Sequence, residues 1–125
     1  MSRSTDPLAA APQVAQAAQA SFDRTLAQLS AYLRVPAISC DAQHHGDVRT
    51  LAAMIRDDLA NLGLDHARLL ELDGALPCVA AEWMKAGPDA PTVLVYGHLD
   101  LQPVKGETWI SPPHQPTVRD GRLYA

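Results

Sequence analysis

The sequence has few cysteines, and they lie far apart. Its 125 residues include two, Cys40 and Cys78, without the short spacing of a zinc-binding pair. This spacing excludes both a disulfide framework and a Cys-x-x-Cys zinc site. We therefore expect two buried free thiols in a reducing cytosol.

Basic charge and long apolar runs are also scarce. Ten Lys and Arg residues stand against fourteen Asp and Glu residues, giving a net charge of −4, and the basic residues are scattered. Nucleic acid is an unsuitable partner for such a surface. No run approaches the length of a membrane-spanning helix, and residues 1–20 lack the basic start and apolar centre of a secretory signal. These absences predict a cytoplasmic protein without a membrane partner.

The sequence does contain regular apolar spacing. Hydrophobic residues make up 47% of the chain, enough for one domain or part of one. After a leader, residues 1–12, which we expect to be flexible, residues 13–125 form the predicted domain. Apolar residues recur in steps of three and four from Val14 to Leu33, which predicts an amphipathic helix ending before Pro36. The next residues, 35–39, are a predicted loop.

A second helix is predicted over residues 48–62. Apolar side chains from Val48 to Leu62 fall on one face of this segment. Gly46 and Asp47 are the expected N-terminal caps. Gly63 is placed to adopt the left-handed conformation that ends many helices.

Shorter apolar runs follow, over residues 67–72, 78–84 and 92–96, and they predict three strands. The last is apolar on both faces, as expected for a central strand covered by helices. Asp120-Gly121 lies between residues 117–119 and 122–124 and predicts a hairpin with a type I′ turn. The predicted fold class is α/β, with two helices, a mixed sheet and a C-terminal hairpin.

A His-x-Asp pair follows the most apolar strand directly, where ligand sites collect in open α/β sheets. Because alternate residues of an extended chain project to the same face, His98 and Asp100 can act together. A zinc-bound imidazole donates its other N–H to an acceptor, often a carboxylate. The alternative is a histidine satisfied by its neighbours and an aspartate that caps a turn.

Four segments together resemble the zinc-dependent family of aminoacylases, carnosinases, deacetylases and succinyl-diaminopimelate desuccinylases. They are residues 35–39 (VPAIS), 97–103 (GHLDLQP), 109–113 (WISPP) and 120–125 (DGRLYA). The third is most similar to the dipeptidase branch. His114 stands where that branch commonly has an aromatic residue. A role as a second metal ligand is a weaker interpretation of His114 than a surface or packing role, because the residue lies in a predicted loop.

The resemblance implies the N-terminal part of a di-zinc catalytic domain, with cobalt or manganese as alternative metals. It makes His98 a zinc ligand and Asp100 the active-site carboxylate that orients it. The remaining ligands, the general base and an inserted domain often used for homodimer formation would follow Ala125. The whole protein would then hydrolyse small peptides or N-acyl amino acids, and the 125 residues alone would be inactive.

Other interpretations remain open. The chain could be a short, non-catalytic α/β protein derived from the same fold. A different metallopeptidase family or a nucleotide-binding α/β domain is a weaker alternative. The nucleotide option is disfavoured because no Gly-rich phosphate loop joins a strand to a helix.

Overall fold

A computed structural model describes residues 7–125, which form two compact units that divide after Ala31. Residues 1–6 of the predicted leader lie outside the described residues. A 3-10 helix, Pro7–Ala10, and helix α1, Ala11–Ala20, follow them. The flexibility of the leader stays a prediction.

The first predicted helix is in fact two helices, and the expectation of a continuous helix was wrong. Helix α2 spans Phe22–Leu33, and Ser21 separates it from α1. The Ser21 hydroxyl donates to the carbonyl oxygen of Ala18 at 3.1 Å, a local bond that competes with the helical pattern. The chain leaves α2 at Leu33, ahead of Pro36, as predicted.

Helix α3 spans His45–Asn61 and begins one turn earlier than predicted. Gly46 and Asp47 lie within its first turn and are not caps, which corrects the predicted start. A short 3-10 helix, Ala42–His44, precedes α3, and the carboxylate of Asp41 accepts the Gln43 N–H at its beginning. That capped turn leads directly into α3.

The end of α3 was predicted correctly. Gly63 has a φ of 87°, its N–H donates to Ala60, and the N–H of Leu64 donates to Leu59. These two bonds form a Schellman motif, which satisfies carbonyl groups that the helix leaves unpaired.

Two of the three predicted strands are present. Strand β1, Asp65–Leu70, pairs with β2, Cys78–Glu82, in an antiparallel ladder with an irregularity between Asp65 and Arg68. Both strands contact α3.

The predicted central strand over residues 92–96 is absent, and this prediction was wrong. Residues 91–100 adopt no regular structure, and Val93 to Tyr96 are 80–89% exposed. A strand that is apolar on both faces needs partners on each side, and no strand of the described residues pairs with it. The expected mixed sheet is therefore replaced by two separate antiparallel pairs.

The predicted C-terminal hairpin is confirmed. Strands β3, Thr117–Arg119, and β4, Arg122–Tyr124, pair through the two-residue turn Asp120-Gly121. The φ angles of 49° and 71° in that turn are both positive, as a type I′ turn requires. The Arg119 guanidinium lies 4.1 Å from the centre of the Tyr124 ring, a cation–π contact across the pair.

A small core holds the second unit together. Its buried centre consists of Ala37, Val48 and Leu51, so the loop before α3 packs directly onto that helix. The partly buried hydrophobic residues around it are Tyr32, Val35, Ile55, Leu76, Leu99 and Leu101.

Both cysteines are free, but the expectation of burial was wrong. Cys40 and Cys78 are exposed; Cys40 follows the buried residues Ala37 and Ile38, and Cys78 is the first residue of β2. Among residues 7–125, no helix combines the length and apolar character needed to cross a bilayer.

Candidate functional site

The His-x-Asp segment is held against the loop that precedes α3. Leu101 forms a parallel bridge with Ile38, and its N–H donates to the Ala37 carbonyl oxygen at 3.0 Å. Leu99 and Leu101 pack against the core. Alternation along this short extended segment then directs His98 and Asp100 away from the core.

The carboxylate of Asp100 is bound by a side chain of the same loop. The Ser39 hydroxyl donates to its Oδ2 at 2.5 Å. This bond is the main reason that the pKa of Asp100 lies below its ordinary value; partial burial opposes the shift, and the nearby His98 adds to it. Asp100 is therefore ionised at neutral pH.

The orientation of the His98 ring follows from its Nδ1 contacts. Nδ1 lies 2.9 Å from the main-chain oxygen of Asp100 and 3.4 Å from its Oδ1. A carbonyl oxygen can only accept a hydrogen bond, so Nδ1 carries the proton in this arrangement. In the neutral ring the lone pair is then on Nε2.

The Nε2 atom is available to a ligand. Within residues 7–125 it has no hydrogen-bond partner, and the His98 side chain is 75% exposed. An imidazole whose other nitrogen is already bound to an acceptor is the form in which histidine binds metals. The arrangement can therefore supply one nitrogen ligand, with its tautomer set by the protein.

The other candidate ligand, His114, is not combined with this pair. In the described residues, no group of three or more His, Cys, Asp or Glu side chains could hold a metal ion. The partly buried His114 has a φ of 62°, and its buried Nε2 lacks a hydrogen-bond partner there. His98 and Asp100 are thus brought together without it.

Two contributors were missed by reasoning from the sequence. Ser39 was assigned only to a loop and His45 to no role, yet Nε2 of His45 lies 3.1 Å from the Ser39 carbonyl oxygen, to which it donates. Their signal was weak, because a serine after Val-Pro-Ala-Ile does not indicate a partner 61 positions later in the chain.

A groove with a cavity volume of about 440 Å³ lies elsewhere in the second unit. It is formed by the first turns of α3 and residues 71–76. Arg49 and Glu71 in its wall form an ion pair at 2.9 Å, and neither His98 nor Asp100 lines it. The groove and the His-x-Asp pair are separate features.

The known proteins that the chain partly matches include two hydrolases. The chain is 35% identical to beta-Ala-His dipeptidase of Mus musculus, over 59% of this chain and 17% of the dipeptidase. It is 34% identical to succinyl-diaminopimelate desuccinylase of Thioalkalivibrio sulfidiphilus, over 57% of this chain and 18% of that enzyme.

The chain thus spans less than a fifth of the length of either relative. No protein-family model matches it, and no solved structure does. Both relatives are nonetheless hydrolases of the kinds that the sequence motifs resemble. The chain is therefore similar in sequence to a part of this dipeptidase and a part of this desuccinylase.

Proposed function

We propose that these residues are the N-terminal part of a di-zinc hydrolase that cleaves dipeptides or N-acyl amino acids at an amide bond. The observation that carries the proposal is the state of His98, whose Nδ1–H is bound to the Asp100 oxygen while Nε2 is open. The similarity to a dipeptidase and a desuccinylase supports the same reaction class.

The residues present fit one part of a metal site. His98 would bind zinc, or cobalt or manganese in its place, through Nε2. Bound zinc would polarise the substrate carbonyl and lower the pKa of a water molecule. A catalytic zinc needs about three protein ligands, so the other ligands and the general base would come from residues after Ala125.

Asp100 has a positioning role in this proposal. Its main-chain oxygen accepts the Nδ1–H of His98, and its carboxylate lies at 3.4 Å from the same nitrogen. The negative charge favours a proton on Nδ1 and makes Nε2 a better electron donor. Asp100 would therefore act through His98 and would not itself be a metal ligand.

The deciding experiment uses the longest product of the reading frame that contains these residues. His98→Ala should empty one metal position, whereas Asp100→Asn should cost roughly ten- to a hundredfold in metal affinity or activity. Metal content and hydrolysis of a panel of dipeptides and N-acyl amino acids are measured together.

His66→Asn is the matched control. His66 is 71% exposed, similar to His98, but lies on β1, and asparagine tolerates its φ of 54°. It should leave the metal content unchanged. Complete metal loss in Asp100→Asn would make that carboxylate a direct ligand, and full metal content in His98→Ala would refute the proposed site.

A short, non-catalytic protein of the same origin is the second candidate. Like the first candidate, it agrees with the lack of a three-ligand group in residues 7–125. Both candidates predict that the 125-residue chain binds zinc no more tightly than an ordinary surface histidine. Calorimetric titration measures this, and a one-to-one complex of submicromolar affinity that disappears in His98→Ala would contradict it.

A further inference from the structure

The loop before α3 and the His-x-Asp segment are joined by main-chain and side-chain hydrogen bonds. Ala37 and Ile38 are 0% and 6% exposed, and they provide the main-chain contacts to Leu101. Ser39 follows them directly, and its hydroxyl reaches the Asp100 carboxylate at 2.5 Å. The hydroxyl thus projects from a part of the chain that packing already fixes.

The first residue of α3 fixes Ser39 from the other side. Nε2 of His45 donates to the Ser39 carbonyl oxygen at 3.1 Å. Val48, one turn later, is 2% exposed and packs in the same cluster as Ala37. Helix α3 therefore holds the main chain of Ser39 while the Ser39 side chain holds Asp100.

His98 has little else to orient it. Its side chain is 75% exposed, and its described hydrogen bond goes to the main-chain oxygen of Asp100. The conformation of residue 100 therefore decides where the ring points. A carboxylate tied to Ser39 restricts that conformation, whereas a carboxylate in water would rotate among several states.

We propose that Ser39 is a positioning residue for His98, which acts by holding Asp100 so that its main-chain oxygen accepts the Nδ1–H and Nε2 points outward. The inference rests on the proposed function, in which the lone pair on Nε2 of His98 binds the metal. The relay runs from α3 through His45, Ser39 and Asp100 to His98.

The test measures the ratio of the Nδ1–H to the Nε2–H tautomer of His98 in the 125-residue chain without any metal. Nitrogen-15 NMR of the ring is recorded at an alkaline pH at which the chemical shifts themselves show the neutral form, whose two tautomers carry the proton on different nitrogens. The wild-type chain should hold mostly the Nδ1–H tautomer. In Ser39→Ala the ratio of Nδ1–H to Nε2–H should fall roughly three- to tenfold, the usual effect of one lost hydrogen bond.

Two further variants distinguish a positioning role of Ser39 from a general destabilisation of the fold. Ser39→Thr keeps a hydroxyl and should restore the wild-type ratio. Thr50→Ala removes another hydroxyl of the same unit, one that donates to the Gly46 carbonyl oxygen at 2.9 Å, and should leave the ratio unchanged. A wild-type ratio in Ser39→Ala, a low ratio in Ser39→Thr, or an equal fall in Thr50→Ala would each overturn the proposal.

The same bond can be broken from its other end. Asp100→Ala keeps Ser39 and the main-chain oxygen of residue 100 but removes the carboxylate. It should lower the ratio at least as far as Ser39→Ala does, because the charge that favours the Nδ1 proton is lost as well. If Ser39→Ala fails to fold, an unchanged ratio in Asp100→Ala still refutes the relay. Failure of the proposed metal site would show separately, as full metal content in His98→Ala of the longer product.

Discussion

At the scale of single residues, the ionisation of Asp100 is governed by its neighbour from the loop. The hydroxyl of Ser39 favours the charged carboxylate more than burial disfavours it, so the folded-state pKa is lowered from 3.8. A carboxyl group of this kind stabilises the fold above the unfolded-state pKa. The contribution is lost as the pH falls through the lower, folded-state value.

Ser39→Ala should raise the pKa of Asp100 toward 3.8, because it removes the largest of the causes that lower it. In this variant the free energy of unfolding should therefore increase less between acidic and neutral pH than in the wild-type chain. A carbon-detected NMR titration of the Asp100 carboxyl measures the pKa, and Thr50→Ala is the control. An unchanged titration in Ser39→Ala would show that the hydroxyl does not bind the carboxylate in solution.

The sequence predicted the site only in part at this scale. The alternation of His98 and Asp100 was readable because it depends on two residues in one extended segment. The contribution of Ser39 was not, since it depends on how two distant segments pack. The acceptor nearest to Nδ1 of His98 is the main-chain oxygen of Asp100. This contact depends on a backbone conformation that the spacing of the two residues does not specify.

At the scale of elements, the end of α3 has a conformation that few residues other than glycine can adopt. Gly63 has a φ of 87°, whereas Gly46 lies inside the same helix without a positive φ. A Cβ at either position would meet no atom within 4 Å. Backbone conformation alone therefore distinguishes these two glycines.

Gly63→Ala should lower the free energy of unfolding by about 1–2 kcal/mol, because an L-residue is strained in the left-handed region. Gly46→Ala should raise it by up to about 1 kcal/mol, because alanine loses less backbone entropy in a helix. Urea unfolding of both variants measures the difference. Equal effects in the two variants would mean that the Schellman motif does not persist in solution.

The hairpin encoded by local turn chemistry could be predicted, whereas the strand over residues 92–96, which lacks a partner among the described residues, could not. The turn at Asp120-Gly121 requires two positive φ angles that these residues tolerate, so its hairpin could be placed from the sequence. Residues 92–96 have the composition of a buried strand, but a strand forms only where another strand accepts its hydrogen bonds. Composition cannot supply that partner.

At the scale of the second unit as a whole, the most unusual surface is the apolar run from Val93 to Tyr96. Four consecutive large apolar side chains are 80–89% exposed, on a backbone without strand partners. Such a segment can pack its apolar side chains against another molecule and can form strand-type main-chain hydrogen bonds with it. We expect it to drive association of the 125-residue chain with itself.

Val95→Lys should reduce this association, because it places a charge within the apolar run. Val95 is 89% exposed, so the free energy of unfolding should change by no more than about 0.5 kcal/mol. Light scattering over a range of protein concentrations measures association. Leu72→Lys, at a 77% exposed leucine outside the run, is the control. Equal reductions in both variants would assign the effect to net charge.

The bond between Ser39 and Asp100 also has a consequence for the order of folding. Its two partners are 61 positions apart in the chain, whereas α3, β1 and β2 follow one another closely. Closing a long loop costs entropy before its contacts repay it, so neighbouring elements assemble first and distant segments dock later. We therefore expect residues 98–101 to join the core late in folding and to open first from the native state. The histidine would thus acquire its orientation only after the helix and the hairpin of β1 and β2 are in place.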